Sequence, residues 1–202
     1  MLLRLPHSLP ARVLGFCFLS WMLTATSATA GPIVFDEWYE FSFTDAGVTT
    51  TGCFPDDPAG LFCVPSSGTP TTFADAPQWT FAAPASGAVL TVTDAFVSGD
   101  QFEIFDFGVF VGMTSLPAAA ALVNCGDDPV PCLTTAGISN GVFLLAPGNH
   151  SLSITPLQSP DGLGAAYFRV AAEVAAVPEP GSMLLFGTGC TLLARRFRRR
   201  RP

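Results

Sequence analysis

Three aspartates punctuate the middle of the sequence at equal spacing: Asp94, Asp100 and Asp106. Asp94 closes the alternating run AVLTVTD. Gly99-Asp100 opens the next apolar run, and Asp106 begins the turn Asp106-Phe107-Gly108. Carboxylates brought together from neighbouring loops are hard oxygen donors. They suit Ca²⁺, which takes six to eight oxygens, backbone carbonyls included. No other cofactor is expected. The plainer reading is turn chemistry, because an Asp side chain bonds nearby backbone N–H groups.

The remaining reactive side chains are sparse. Asp56-Asp57 and Asp127-Asp128 read as solvated loop residues. Between residues 31 and 176 the only histidine is His150, beside a predicted turn. No nucleophile elbow accompanies it, and a Ser-His-Asp relay needs three groups in contact. A glycosidase needs two carboxylates across a cleft, and an acid-rich chain supplies accidental pairs. The expectation is a chain that is not an enzyme, with a secreted polysaccharide hydrolase, or a calcium- or carbohydrate-binding adhesin module, as the alternatives. Aromatic faces could stack on sugars. Trp79 alternates with Phe81 and belongs in a core, whereas Tyr167 lies on the polar side of its run and is the candidate sugar contact.

The elements that must position these residues are strands. In Ile33 to Phe43 the odd positions are mostly apolar and the even ones include Asp36, Glu40 and Ser42. That is the period of a strand with one buried face. QWTF and AVLTVTD are further strands. QFEIFDFGVFVG reads as a hairpin, and GVFLLAPGNHSLSI as a second one turning at Pro147-Gly148-Asn149. AAYFRVAAEV points Ala166, Phe168 and Val170 one way and Tyr167 and Arg169 the other. TSLPAAAALVNC is expected to carry one helical turn. The fold class is therefore all-β: an antiparallel, jelly-roll-like β-sandwich over 31–176.

Charge and cysteine usage narrow the setting. Residues 31–176 hold fifteen acids against the single base Arg169, and the chain has no lysine. Such a body repels nucleic acid and anionic lipid, so no nucleic-acid partner is expected. It attracts divalent cations, or is simply soluble. Cys53, Cys63, Cys125 and Cys132 allow three pairings. The local pairs Cys53–Cys63 and Cys125–Cys132 are the most natural in an exported domain. Zinc is the rival, but the spacings are not C-x-x-C.

The two ends of the sequence carry addresses. Arg4 and Arg12, the apolar run Val13 to Leu23 and Ala28-Thr29-Ala30 have the layout of a secretory signal over 1–30, cleaved before Gly31. The Sec translocon and signal peptidase are then the expected partners. At the other end, 177–202 contains Pro178-Glu179-Pro180 and an apolar stretch from Met183 to Ala194. Arg195, Arg196, Arg198, Arg199, Arg200 and Arg201 follow. As a helix, 183–194 spans about 18 Å against a hydrocarbon core of about 30 Å. It is a short transmembrane segment whose arginines remain cytoplasmic and stop its passage.

Pro-Glu-Pro, a short apolar helix and a terminal arginine cluster, in that order, resemble the PEP-CTERM sorting signal of Gram-negative bacteria. The resemblance implies a transient inner-membrane anchor. It implies an exosortase that recognises the Pro-Glu-Pro region and removes the tail. It also implies delivery to the cell surface or beyond, and a link to exopolysaccharide or biofilm. Residues 79–115, WTFAAPASGAVLTVTDAFVSGDQFEIFDFGVFVGMTS, resemble a pattern in secreted β-sandwich proteins of bacteria and fungi. That resemblance implies a fold and no activity.

Overall fold

The computed structural model describes residues 31–118 and 122–173. The expected signal over 1–30 and the tail over 177–202, with its helix at 183–194, lie outside the described residues. Among the described residues no helix is long and apolar enough to cross a membrane.

Thirteen strands and one short helix follow in chain order. They are β1 (Trp38–Phe43), β2 (Cys53–Phe54), β3 (Leu61–Phe62), β4 (Thr71–Phe73), β5 (Trp79–Ala83), β6 (Ala88–Asp94) and β7 (Phe96–Val97). Then come β8 (Gln101–Asp106), β9 (Val109–Met113), β10 (Asn124–Gly126), α1 (Pro129–Thr134), β11 (Asn140–Leu145), β12 (Gly148–Gln158) and β13 (Gly164–Ala172). A five-stranded sheet has the order β11-β6-β13-β1-β4 and a four-stranded sheet the order β5-β12-β8-β9. Their inner faces share one apolar core, so the molecule is a two-sheet sandwich.

Alternation decides what enters that core. β1 contributes Tyr39, Phe41 and Phe43, β6 Leu90 and Val92, and β13 Ala166, Phe168 and Val170. From the other sheet come Trp79, Phe102, Ile104, Leu152 and Ile154. Phe41 is the hub. Its ring lies 5.7 Å from both Trp79 and Phe102 and 6.0 Å from Phe168, centroid to centroid. Burying one such ring contributes about 1.5–3 kcal/mol, so this aromatic cluster is a main source of the sandwich's stability.

The β8–β9 hairpin forms as its sequence predicts. Asp106 pairs with Val109, and the two residues between them, Phe107 (φ 48°) and Gly108 (φ 76°), both have left-handed backbones. That is a two-residue turn of the type that matches strand twist.

Two sequence expectations are corrected. β1 starts at Trp38, not Ile33, because Asp36 adopts φ 66° and breaks the extended run. β11 and β12 do not form a hairpin: β11 pairs with β6, whereas β12 pairs with β5 and β8. The Ala146-Pro147 connection crosses between sheets instead of turning within one. β4 joins β1 in parallel, so one edge of an otherwise antiparallel sheet departs from the pattern. A short helix forms at Pro129–Thr134, where the Asp128 side chain caps it by accepting from Val130 N; in the 114–125 stretch the described residues 114–118 and 122–125 are not helical.

The outer face of the five-stranded sheet is roofed over β1 and the adjoining part of β13, whereas Val142 and Leu144 on β11 stay exposed. All six residues of β1 are buried, because the 44–70 segment folds over its even positions. Leu61 N donates to Ser42 Oγ (2.9 Å), and the Ser42 hydroxyl donates to Gly52 O (2.6 Å). The Cys53–Cys63 disulfide closes this loop, and Cys125–Cys132 closes the one carrying α1. A second, smaller core of Trp38, Ala95 and Tyr167, with Phe96 and Leu133 against it, lies under that roof.

Candidate functional site

Asp94, Asp100 and Asp106 do not converge. Asp100 and Asp106 stand at opposite ends of β8, about 20 Å apart at the rise of a strand. Asp94 ends β6 opposite Ala166, at the same end of the sandwich as Asp100. The trio therefore divides into a pair and a single residue, with the core between them.

The pair is deeply placed. Asp94 has no exposed surface and Asp100 retains only 9 %. Asp94 Oδ1 accepts from Ala95 N at 2.8 Å, but its Oδ2 has no hydrogen-bond partner. Neither has Asp100 Oδ1, nor the hydroxyl of Ser159, which comes from the turn after β12. Burial pushes the Asp94 carboxyl up to about 8. The charge of Asp100 adds to the shift, and the nearby amides of Ala95, Asp100 and Gly99 oppose it. Burial likewise raises Asp100 to about 6, with the neighbouring Ser159 hydroxyl opposing and Asp161 reinforcing.

The loops that meet here are locked together. Gln158 Nε2 donates to Gly99 O at 2.9 Å. Gly99 has φ 154°, and a Cβ on it would stand 3.3 Å from the Pro160 ring. Only glycine allows that backbone and that approach together.

Asp106 is consumed structurally. Its Oδ2 lies 2.8 Å from His150 Nδ1, and its Oδ1 accepts from Ser151 N at 2.9 Å. His150 Nε2 is 2.7 Å from Ala146 O, so both ring nitrogens meet acceptors. The Ser151 hydroxyl donates to Gln78 Oε1 (2.6 Å) and not to the imidazole. No nucleophile–base relay forms at this histidine.

The other acidic pairs also hold backbone. Asp57 is buried, against the expectation of a solvated loop residue. It accepts from Gly52 N (2.8 Å) and Ala59 N (2.9 Å). Asp127 accepts from Ser67 Oγ, and Asp128 from Thr69 N.

Tyr167 is not a surface residue. Alternation does turn it away from the main core, but the roof covers that face. It is fully buried, and its hydroxyl donates to Asp127 O at 2.8 Å. It cannot contact a sugar. Opposite it in the register stands Glu40, also fully buried, with both carboxylate oxygens unpartnered. Burial raises Glu40 to about 7, the Val64 amide opposing and the Asp127 charge reinforcing. The Glu40 carboxylate gathers with the sulfurs of Cys53 and Cys63, but their disulfide leaves no thiolate for a metal.

A groove of about 420 Å³ opens beside β4, lined among others by Asp36, Trp38, Thr69, Thr71 and Arg169. The Arg169 guanidinium lies 5.2 Å from the centroid of the Trp38 ring, a cation–π contact. Its Nε is buried without a partner. Sequence reading missed this groove, as it missed Ser159 and Asp161. SPDG at 159–162 is a legible turn signal, but its contact with the 99–100 loop depends on long-range register.

The fold and these sites define a small all-β sandwich whose buried acids sit at its poles and under its roof. The family described as the PEP-CTERM protein-sorting motif matches residues 176–201. The chain thus carries that sorting motif, which marks it for export, membrane-anchored sorting and processing by exosortase. No curated protein and no solved structure matches the chain significantly.

Proposed function

We propose that this chain is a noncatalytic protein of the cell envelope or extracellular matrix, freed from its inner-membrane anchor by exosortase and associated with exopolysaccharide in a biofilm. The observation carrying this reading is the sorting motif at 176–201. Catalysis lacks support among the described residues. His150 is fully engaged by Asp106 and Ala146, and the strongly shifted acids Glu40 and Asp94 have no exposed surface. The groove supports a glycan contact, since it joins the one arginine of the body to threonine hydroxyls and an aromatic ring.

The test is made with the full chain, produced in a bacterium with exosortase and in an isogenic strain without it. Intact mass spectrometry should show the tail lost only in the first strain. An unprocessed product in both would end the sorting reading. The released protein is then incubated with neutral and acidic polysaccharides. Retention on a polymer that stays intact is expected, and Arg169→Gln should weaken it. Release of reducing ends would favour the hydrolase instead.

A further inference from the structure

We propose that Asp94 and Asp100, completed by the Ser159 hydroxyl, form a divalent-cation site suited to Ca²⁺, with Asp161 supplying charge at its mouth. Three oxygens carry the argument: Asp94 Oδ2, Asp100 Oδ1 and Ser159 Oγ are all buried and none makes a hydrogen bond of good geometry, although the Ser159 hydroxyl stands near enough to the Asp100 carboxyl to influence it. Buried polar atoms are normally satisfied, and a buried charge is normally paired or bound to a metal. Here two carboxylates lie close enough to repel one another.

No protein cation relieves them. The basic side chains of the described residues are Arg169 and His150. Arg169 packs on Trp38 beside the groove, and His150 binds Asp106 at the far end of β8. Without a cation the pair is relieved only by keeping a proton; a small hard cation satisfies carboxylate and hydroxyl oxygens at once.

Ca²⁺ fits better than Mg²⁺. The donors come from the end of β6, the loop before β8 and the turn after β12, and Ca²⁺ tolerates mixed, uneven oxygen sets, whereas Mg²⁺ demands a near-ideal octahedron. Two carboxylates make a site of modest charge, so affinity should fall in the range of extracellular calcium modules, a Kd of about 10⁻⁴–10⁻³ M. The site also joins segments far apart in sequence, so a bound ion would clamp the 94–100 loops to the 159–161 turn.

The full chain, purified in detergent, is titrated with CaCl₂ by calorimetry and melted with CaCl₂ or EGTA. One site per chain is expected, with a melting temperature about 3–10 °C higher at about 10 mM Ca²⁺ than in EGTA. Asp94→Asn and Asp100→Asn should abolish the gain. In EGTA at about pH 9, where both carboxyls are ionised, they should melt at or above the wild-type temperature, since each removes a buried charge. Asp161→Asn, at an exposed position, should weaken binding only a few-fold, and Asp56→Asn in the distant cystine loop should leave it unchanged. Equal melting in Ca²⁺ and EGTA would overturn the proposal. So would a gain that survives in both Asp94→Asn and Asp100→Asn, which would place the ion elsewhere on the acidic surface.

Discussion

His150 Nδ1 lies 2.8 Å from Asp106 Oδ2, joining β12 to the end of β8, and Asp106 Oδ1 takes the Ser151 amide on the same strand. This small network seals the core at the end opposite Asp94. Asp106→Ala strips both bonds and leaves the buried Nδ1 of His150 unpaired, so a loss of about 1–3 kcal/mol is expected. His150→Ala should cost at least as much, since it also removes a buried ring stacked on Phe81. A double-mutant cycle by denaturant unfolding should give a coupling energy of at least about 0.5 kcal/mol. Simple additivity would mean that the contact contributes nothing.

Glu40 controls a pH dependence of unusual sign. Its folded-state pKa is raised by burial to about 7 from an ordinary 4.5, so the folded chain holds a proton that the unfolded chain releases. Stability is then greatest below the ordinary carboxylate range and declines as pH climbs to about 7. The decline due to this residue is at most about 3 kcal/mol. Glu40→Gln should raise the melting temperature at pH 8 and flatten the profile between pH 4.5 and 7. A residual slope of the same sign is expected in EGTA from Asp94 and Asp100, which are also shifted upward. A variant with an unaltered profile would show that Glu40 does not titrate in this window.

Tyr167→Phe separates anchoring from recognition. The variant loses only the hydroxyl that donates to Asp127 O, at a cost of about 1 kcal/mol. Binding to any polysaccharide should be unchanged, because the ring never meets solvent. Weakened binding without destabilisation would return this residue to the surface.

The two cystines should contribute comparable stability, since they close loops with sequence separations of 10 and 7 residues. Each paired replacement, Cys53→Ser with Cys63→Ser or Cys125→Ser with Cys132→Ser, is expected to cost about 2–3 kcal/mol. Limited proteolysis should then cut inside the opened roof while the sandwich strands stay protected. Cleavage spread across both sheets would show that the roof is needed for the core itself.

Local signals in this sequence read well. β6, β8, β9 and β13 follow from period-two alternation, and the Asp106-Phe107-Gly108 turn from its own chemistry. What a strand pairs with is a long-range property. Pro147-Gly148-Asn149 looks like a hairpin turn, yet β11 and β12 go to different sheets. Tyr167 fails for a related reason: alternation correctly turns it from the main core, but nothing nearby in sequence announces the roof over it. The acidic site is legible by half. Asp94 and Asp100 are neighbours in sequence, whereas Ser159 reaches them only through the β8–β12 register.

The last described strand has a consequence for orientation. β13 begins beside Asp94 and runs to Ala172, which pairs with Ala88, and Glu173 N then bonds Gly87 O. The polypeptide therefore departs from the pole opposite Asp94, about 20 Å away along the strand. The described chain therefore ends at one pole of the sandwich, and the Asp94–Asp100 pair occupies the other.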